Sequence, residues 1–211
     1  MHRLSSLIFL ALGTMAPLNA QTHLANTFPP PLTLSYSIST SRLPIAEVTD
    51  VLNFDQQSFR IQSEGRGAGL FALISRARIT RNSEGEVRPE GLRPTRYSES
   101  RGNNERSLGA RFDWPKQKLI LSRDQEQEEV ELPAGSLDRL SFPYSFAFLP
   151  KPPPQWKLAV TDGRYLTPYE FKLVGEEVIS TPLGEFPAMV VCSSMALPPI
   201  NRPPPPAHRE A

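Results

Sequence analysis

Leu32-Thr33-Leu34-Ser35-Tyr36-Ser37-Ile38-Ser39 carries an apolar side chain at every even position. Successive side chains of a strand point to opposite faces, so this alternation specifies a strand with one buried face. Ala46, Val48, Leu52 and Phe54 continue the pattern, broken at Asp50, and Phe59 with Ile61 marks a third strand. Gly65, Gly67 and Gly69 then relax the backbone before the apolar run Leu70 to Ile74, whose periodicity fits a buried strand or one helical turn equally. From Arg76 to Arg111 the text reads as short strands, with Asn82-Ser83-Glu84-Gly85 and Pro89-Glu90-Gly91 as turns. Leu119 with Leu121 and Val130 with Leu132 give two more strands, and the acidic stretch Asp124 to Glu129 reads as the hairpin tip between them. Asp162-Gly163, flanked by Leu158, Val160 and Tyr165, is a hairpin turn. Phe171 with Leu173, Val178, and Met189 to Val191 are the late strands, separated by a solvated tip at Glu176-Glu177 and a turn at Thr181-Pro182-Leu183-Gly184.

One segment breaks the β rhythm. Ser136-Leu137-Asp138-Arg139-Leu140-Ser141 leads into Tyr144, Phe146 and Phe148, and Ser136 or Asp138 suits a helix N-cap. Pro143 is tolerated only in a first turn, and the prolines between Pro150 and Pro154 end the segment. The expected fold is therefore mainly β, a curved antiparallel sheet or partly open barrel with one short helix near residues 136–149.

The ends of the chain read differently. His2 and Arg3 precede the apolar stretch Leu4 to Leu12, and Pro17-Leu18-Asn19-Ala20 closes it with a small residue, which is the layout of a secretory signal peptide cut before Gln21. The apolar run is shorter than the roughly 20 residues that span a bilayer, and no later run replaces it. The division is a signal peptide over 1–20, a flexible leader over 21–31, a β domain over 32–192 and a Pro-rich disordered tail over 193–211. Without Arg3 the 23 basic residues fall to 22, equal to the 22 acidic ones, a balance that argues against general nucleic-acid binding. Cys192 is the single cysteine, so an intrachain disulfide is impossible, and export without disulfides fits a periplasm.

Several motifs, taken in order, resemble an exported proteobacterial family catalogued as domain of unknown function 3108. They are Gly91-Leu92-Arg93-Pro94 with Tyr97 and Arg101; Phe112-Asp113-Trp114; Leu132-Pro133-Ala134-Gly135 with Asp138-Arg139-Leu140-Ser141; and Thr181-Pro182-Leu183-Gly184. The resemblance spans residues 32–191 and implies a signal peptide and a curved antiparallel sheet; it brings no activity and no catalytic residues. Family members usually continue past the position of Val191 into further apolar strands, so the resemblance also implies that this chain lacks C-terminal strands.

Catalytic signals are missing from the β domain. Histidine occurs only at His2, His23 and His208, so a Ser-His-Asp or Cys-His arrangement has no base there. One cysteine and no domain histidine leave no zinc set, and no nucleotide-binding motif is present, so neither metal nor cofactor is expected. Asp113 and Asp138 are the carboxylates to weigh for acid–base work; a turn and a helix cap account for them more simply. Cys192 is read as a small packed residue.

Binding candidates remain. Tyr36, Phe54, Phe59, Phe112, Tyr144, Phe146 and Phe148 are the aromatics able to line a cavity under a curved sheet, or to fill its core. Arg76 and Arg78 share a strand face within an arginine-rich stretch and suit a phosphate or carboxylate, although a solvated face is the simpler account. The leading functional expectation is a periplasmic, non-enzymatic binding or carrier module for an apolar or lipid-like ligand. The second is an envelope-assembly or scaffolding protein that meets an envelope-protein partner through sheet edges and the Pro-rich tail. An enzyme comes third.

Overall fold

The inward-facing alternation Val48, Asp50, Leu52 recurs as Phe59, Ile61, Ser63 and again as Leu119, Leu121, and it builds one continuous sheet face. In the computed structural model, residues 31–41, 43–69, 72, 78–102, 106–148, 153–181, 184–195 and 200–201 are described. Strands β1 (Leu32–Thr40), β2 (Leu43–Phe54), β3 (Ser58–Gly67), β4 (Arg78–Arg88), β5 (Gly91–Arg101), β6 (Arg106–Asp113), β7 (Lys118–Arg123) and β8 (Glu126–Glu131) follow one another in an antiparallel meander. A second sheet has the order β12-β11-β10-β9, from β9 (Leu137–Asp138), β10 (Gln155–Thr161), β11 (Leu166–Thr181) and β12 (Gly184–Met195). The architecture is mainly β, with a curled half-barrel sheet and a single short helix, α1 (Ser141–Ser145), continued by a 3₁₀ turn at Phe146–Phe148. Among the described residues no helix is long and apolar enough to cross a membrane.

The hydrophobic core lies between the meander and the 132–171 region. Leu52, Phe59, Ile61, Tyr97, Phe112 and Leu119 from the first meet Leu132, Leu137, Leu140 and Leu166 from the second. Each such large apolar side chain contributes about 1.5–3 kcal/mol on burial.

Strict alternation fails at one place, with structural consequences. Leu92 and Pro94 face inward, but so do Tyr97 and Glu99, of opposite parity. The phase changes because Glu84 pairs with Arg96 and Gly85 with Pro94, leaving Thr95 as the extra residue of a β-bulge. The Thr95 hydroxyl donates to the Glu84 carbonyl at 3.1 Å. Asn82–Gly85 is thus not a turn; it runs through the middle of β4. Gly85 is there because a Cβ would stand 2.3 Å from the Arg93 carbonyl oxygen and 2.7 Å from Pro94 Cα.

Two other turns move. Glu176-Glu177 lies within β11, where Val174 is bulged, and the acidic stretch 124–129 turns only at Asp124-Gln125 before becoming edge strand β8. The turns at Pro89-Glu90 and after Asp162 form as expected, the latter with Gly163 at φ 85°. Residues 1–30 and 202–211, which hold the stretches expected to be a signal peptide, a leader up to Pro30 and most of a proline tail, lie outside the described residues, as does the 73–77 stretch. Inside the stretch read as a tail, Ser193 to Met195 complete β12 against Tyr169–Phe171. Further on, Ile200 N–H donates to the Leu166 carbonyl at 2.9 Å, and the Asn201 amide donates to Glu128 at 2.8 Å.

Gly85→Ala is expected to lower the melting temperature by about 2–12 °C, the range for an overpacking strain of about 1–3 kcal/mol. Gly175→Ala is the matched control, because its Cβ would meet nothing within 4 Å. Equal melting temperatures for the two variants would disprove the close approach at the bulge.

Candidate functional site

The bulge at Thr95 turns a carboxylate into the interior. Glu99 is 1% exposed, and both its oxygens are taken: Arg101 Nε donates to Oε1 at 2.7 Å, and Arg81 Nε and the Tyr97 hydroxyl donate to Oε2 at 2.7 and 3.2 Å. Arg139 adds an ion pair at 3.8 Å. Burial works to raise the Glu99 pKa, but the hydrogen bonds and charges of Arg81 and Arg101 hold it below the usual carboxylate range. Burial pushes the Tyr97 hydroxyl up strongly, with Glu99 adding to it.

Asp138 is fully buried beside this cluster. Its Oδ2 accepts from the Ser83 hydroxyl at 2.6 Å and the Ser141 hydroxyl at 2.8 Å, while Oδ1 accepts the Leu140 and Ser141 N–H groups at 2.9 Å each. The helix starts at Ser141 with Leu140 as its N-cap, so neither Ser136 nor Asp138 is the N-cap; Asp138 instead holds the Leu140 and Ser141 N–H groups from just before the helix and ties that start to β4. Burial raises its pKa against the pull of these bonds. A third buried carboxylate, Asp50, accepts from the hydroxyls of Tyr36 and Tyr144 on Oδ2, whereas its buried Oδ1 has no hydrogen-bond partner. Burial and Asp50 together push both tyrosine pKa values up.

Between the two sheets opens a cleft of about 560 Å³. Leu92 of β5, Leu132, Leu137 and Leu158 give it an apolar wall, and Trp114, Phe146 and Trp156 give it aromatic faces. The Trp114 indole is fixed by donating to the Pro94 carbonyl at 2.6 Å, and the Arg93 guanidinium lies 4.9 Å over its ring. Trp156 stacks on Phe171 at 5.4 Å and meets the Phe146 ring edge-on at 6.0 Å.

The aromatics named from sequence separate into four sets. Phe59 and Phe112 are core residues, 2% and 5% exposed. Tyr36 and Tyr144 converge on Asp50, and Phe54 packs on Phe148 at 5.0 Å. Of the seven, Phe146 lines the 560 Å³ cleft. Arg78 is exposed and paired with Glu64 at 3.2 Å, which is the solvated-face outcome; Arg76 lies outside the described residues. Asp113 is the last residue of β6 and accepts the Lys116 N–H of the following turn at 3.2 Å, and Cys192 is exposed on edge strand β12 rather than packed. Among the described residues no three His, Cys, Asp or Glu side chains group to hold a metal ion. Sequence reasoning passed over Glu99, Asp50 and Trp156. A carboxylate at an inward position of a period-two strand was the available signal for Asp50; for Glu99 the bulge hid it.

The motifs that are far apart in sequence meet in space. Tyr97, Arg101 and Arg139 converge on Glu99, while Gly91 to Arg93, Trp114, Leu132, Ala134 and Gly135 border the cleft. A family model described as "Protein of unknown function (DUF3108)" matches residues 35–197. The chain belongs to that family. No curated protein and no solved structure matches it.

The two buried acids pull acid stability in opposite directions. Glu99, with its folded pKa lowered, stabilises the fold fully above its unfolded value, near 4.5, and that contribution is lost as pH falls through the folded value. Asp138, with its folded pKa raised, contributes below its unfolded value and loses that contribution as pH rises through the folded one. Glu99→Gln should therefore cost about 1.5–3 kcal/mol at pH 7, the worth of hydrogen bonds to a charged group, since the buried carboxylate that Arg81 and Arg101 bind is lost while those partly exposed arginines can turn to water, and its stability should fall less steeply than the wild type's below pH 4.5. Parallel urea-melt series from pH 7 to pH 3 check this; identical acid slopes would remove Glu99 from the account.

Proposed function

We propose that this member of the family is an exported, non-enzymatic binding or carrier module that takes an apolar or lipid-like ligand into the cleft between its sheets. The observation that supports it is the cleft itself: about 560 Å³, within the roughly 300–1,000 Å³ usual for ligand pockets, apolar on its walls and flanked by both tryptophans of the chain. A side chain that merely fills a core closes space; Trp114 and Trp156 instead border it. Their rings are held by neighbours, Trp114 by the Pro94 carbonyl and Trp156 by Phe171, so the walls are preformed and little ordering entropy is lost on binding. Export rests on the signal-like residues 1–20, and the processed chain should begin at Gln21 by intact mass.

The scaffolding reading has its own support. Leu32, Leu34, Tyr36 and Ile38 line one face of edge strand β1 and stand 37–50% exposed, and such an edge invites pairing with another chain. Envelope extracts separate the two: specific lipid on the purified protein by mass spectrometry supports a carrier, a stoichiometric protein partner supports a scaffold.

Because both tryptophans flank the cleft, binding reports itself. The neutral dye N-phenyl-1-naphthylamine should show saturable energy transfer from tryptophan, and Trp156→Ala should weaken it by about tenfold, about 1.4 kcal/mol. Absence of saturable transfer in a folded sample overturns the carrier reading.

A further inference from the structure

A second, smaller pocket of about 270 Å³ lies where the β6–β7 strands meet the turn between β10 and β11. Four arginines line it: Arg101, Arg123, Arg139 and Arg164. Three carboxylates line it too, but all are engaged. Glu99 is bound by Arg81 and Arg101, Asp124 accepts the Ser107 N–H at 2.9 Å, and Asp162 accepts the Arg164 and Tyr165 N–H groups at 2.8 Å each. Arg101 and Arg139 share Glu99, but the other two arginines are not matched in turn. Among the described residues neither Arg123 nor Arg164 makes an ion pair. The Nε of Arg123 is buried without any hydrogen-bond partner, a costly state for a donor unless a ligand satisfies it. The pocket thus has one positive charge more than its acids balance, and guanidinium forks suit the oxygens of carboxylates and phosphates.

The neighbouring space explains what such an anion would carry. A groove of about 420 Å³ shares Arg139 and Asp162 with this pocket and continues along Phe142, Tyr165, Tyr169 and Phe171. Tyr165 joins the two, since its ring lies 5.9 Å from the Arg123 guanidinium carbon. A polar, net-positive end running into an aromatic groove matches an amphiphile. We propose that these joined pockets bind a singly charged anionic amphiphile, its carboxylate or phosphodiester head among Arg123, Arg139 and Arg164 and its apolar body along the aromatic groove. The tryptophan-lined cleft is separate, so the site stands or falls independently of the carrier reading drawn from it.

The test is isothermal titration calorimetry of the mature chain with laurate, lysophosphatidylglycerol, acetate and dodecyltrimethylammonium, each below its micelle concentration. Laurate or lysophosphatidylglycerol should bind at one per chain, the tighter of the two identifying the head as carboxylate or phosphodiester. Arg123→Gln with Arg164→Gln should weaken it by about tenfold or more. Arg164 is exposed on a turn, so Arg164→Gln alone, expected to weaken binding by a lesser factor, covers the case in which the double variant fails to fold. N-phenyl-1-naphthylamine transfer should be unchanged in these variants, which keeps the two sites distinguishable. No binding of either anionic amphiphile, equal affinity in folded arginine variants, or a cationic amphiphile binding as tightly overturns the proposal. Acetate binding as tightly as laurate overturns it as well, because the groove would then add nothing.

Discussion

Two buried carboxylates, Asp138 and Glu99, anchor the segment from Leu137 to Phe148 against the eight-stranded sheet, and the position of everything after it follows from that. A buried carboxylate costs several kcal/mol unless every oxygen finds a partner. Asp138 finds four, one of them the Ser83 hydroxyl on β4. Glu99 on β5 engages Arg139 of the same segment while bound by Arg81 and Arg101. A shift of the segment along the sheet by one residue would strand both charges, so the polar pairs fix a location that apolar packing alone specifies loosely. Once β9 is placed, β10 lies parallel to it through Val160 and Thr161, and the β10–β11–β12 arm extends from there.

The pockets are products of the same constraint. The segment holds the second sheet off the first, and the cleft with Trp114 and Trp156 is the gap left on one side. On the other side Arg139, placed by the residue before it, forms the wall common to the arginine pocket and the aromatic groove. The segments that line neither gap show what lack of cover looks like. Residues 174–180 of β11 are exposed throughout, as is all of β1, and both carry large apolar side chains such as Val178, at 67% exposure, and Leu32, at 50%.

Much of this order could be read from the chain because strands of period two with one buried face leave a local trace. Val48, Leu52, Phe59 and Ile61 announce their face in a window of a few residues, and Asp162-Gly163 announces its turn. The failures share a cause, which is that the deciding partner is distant. Gly85 looked like a turn residue because its reason, the Arg93 carbonyl across a bulge, lies on the next strand. A helix close to Asp138 was legible, but Asp138 is not its N-cap, and Ser83, 55 residues earlier, was not legible as its partner. The aromatics that sequence offers as cavity candidates scatter because hydrophobicity marks an inward face without saying whether that face meets a neighbour or a gap. Phe59 and Phe112 meet neighbours; Phe146 meets a gap.

Amide hydrogen exchange of the Leu140 and Ser141 N–H groups, both donated to Asp138 Oδ1, tests the anchoring directly. If the buried carboxylates hold the segment in place, these two amides open only with the whole fold, and their protection equals that of the β3 and β7 core strands. Exchange of Leu140 and Ser141 that is orders of magnitude faster than the sheet's would show a segment resting on the sheet without being fixed to it, and would contradict the account.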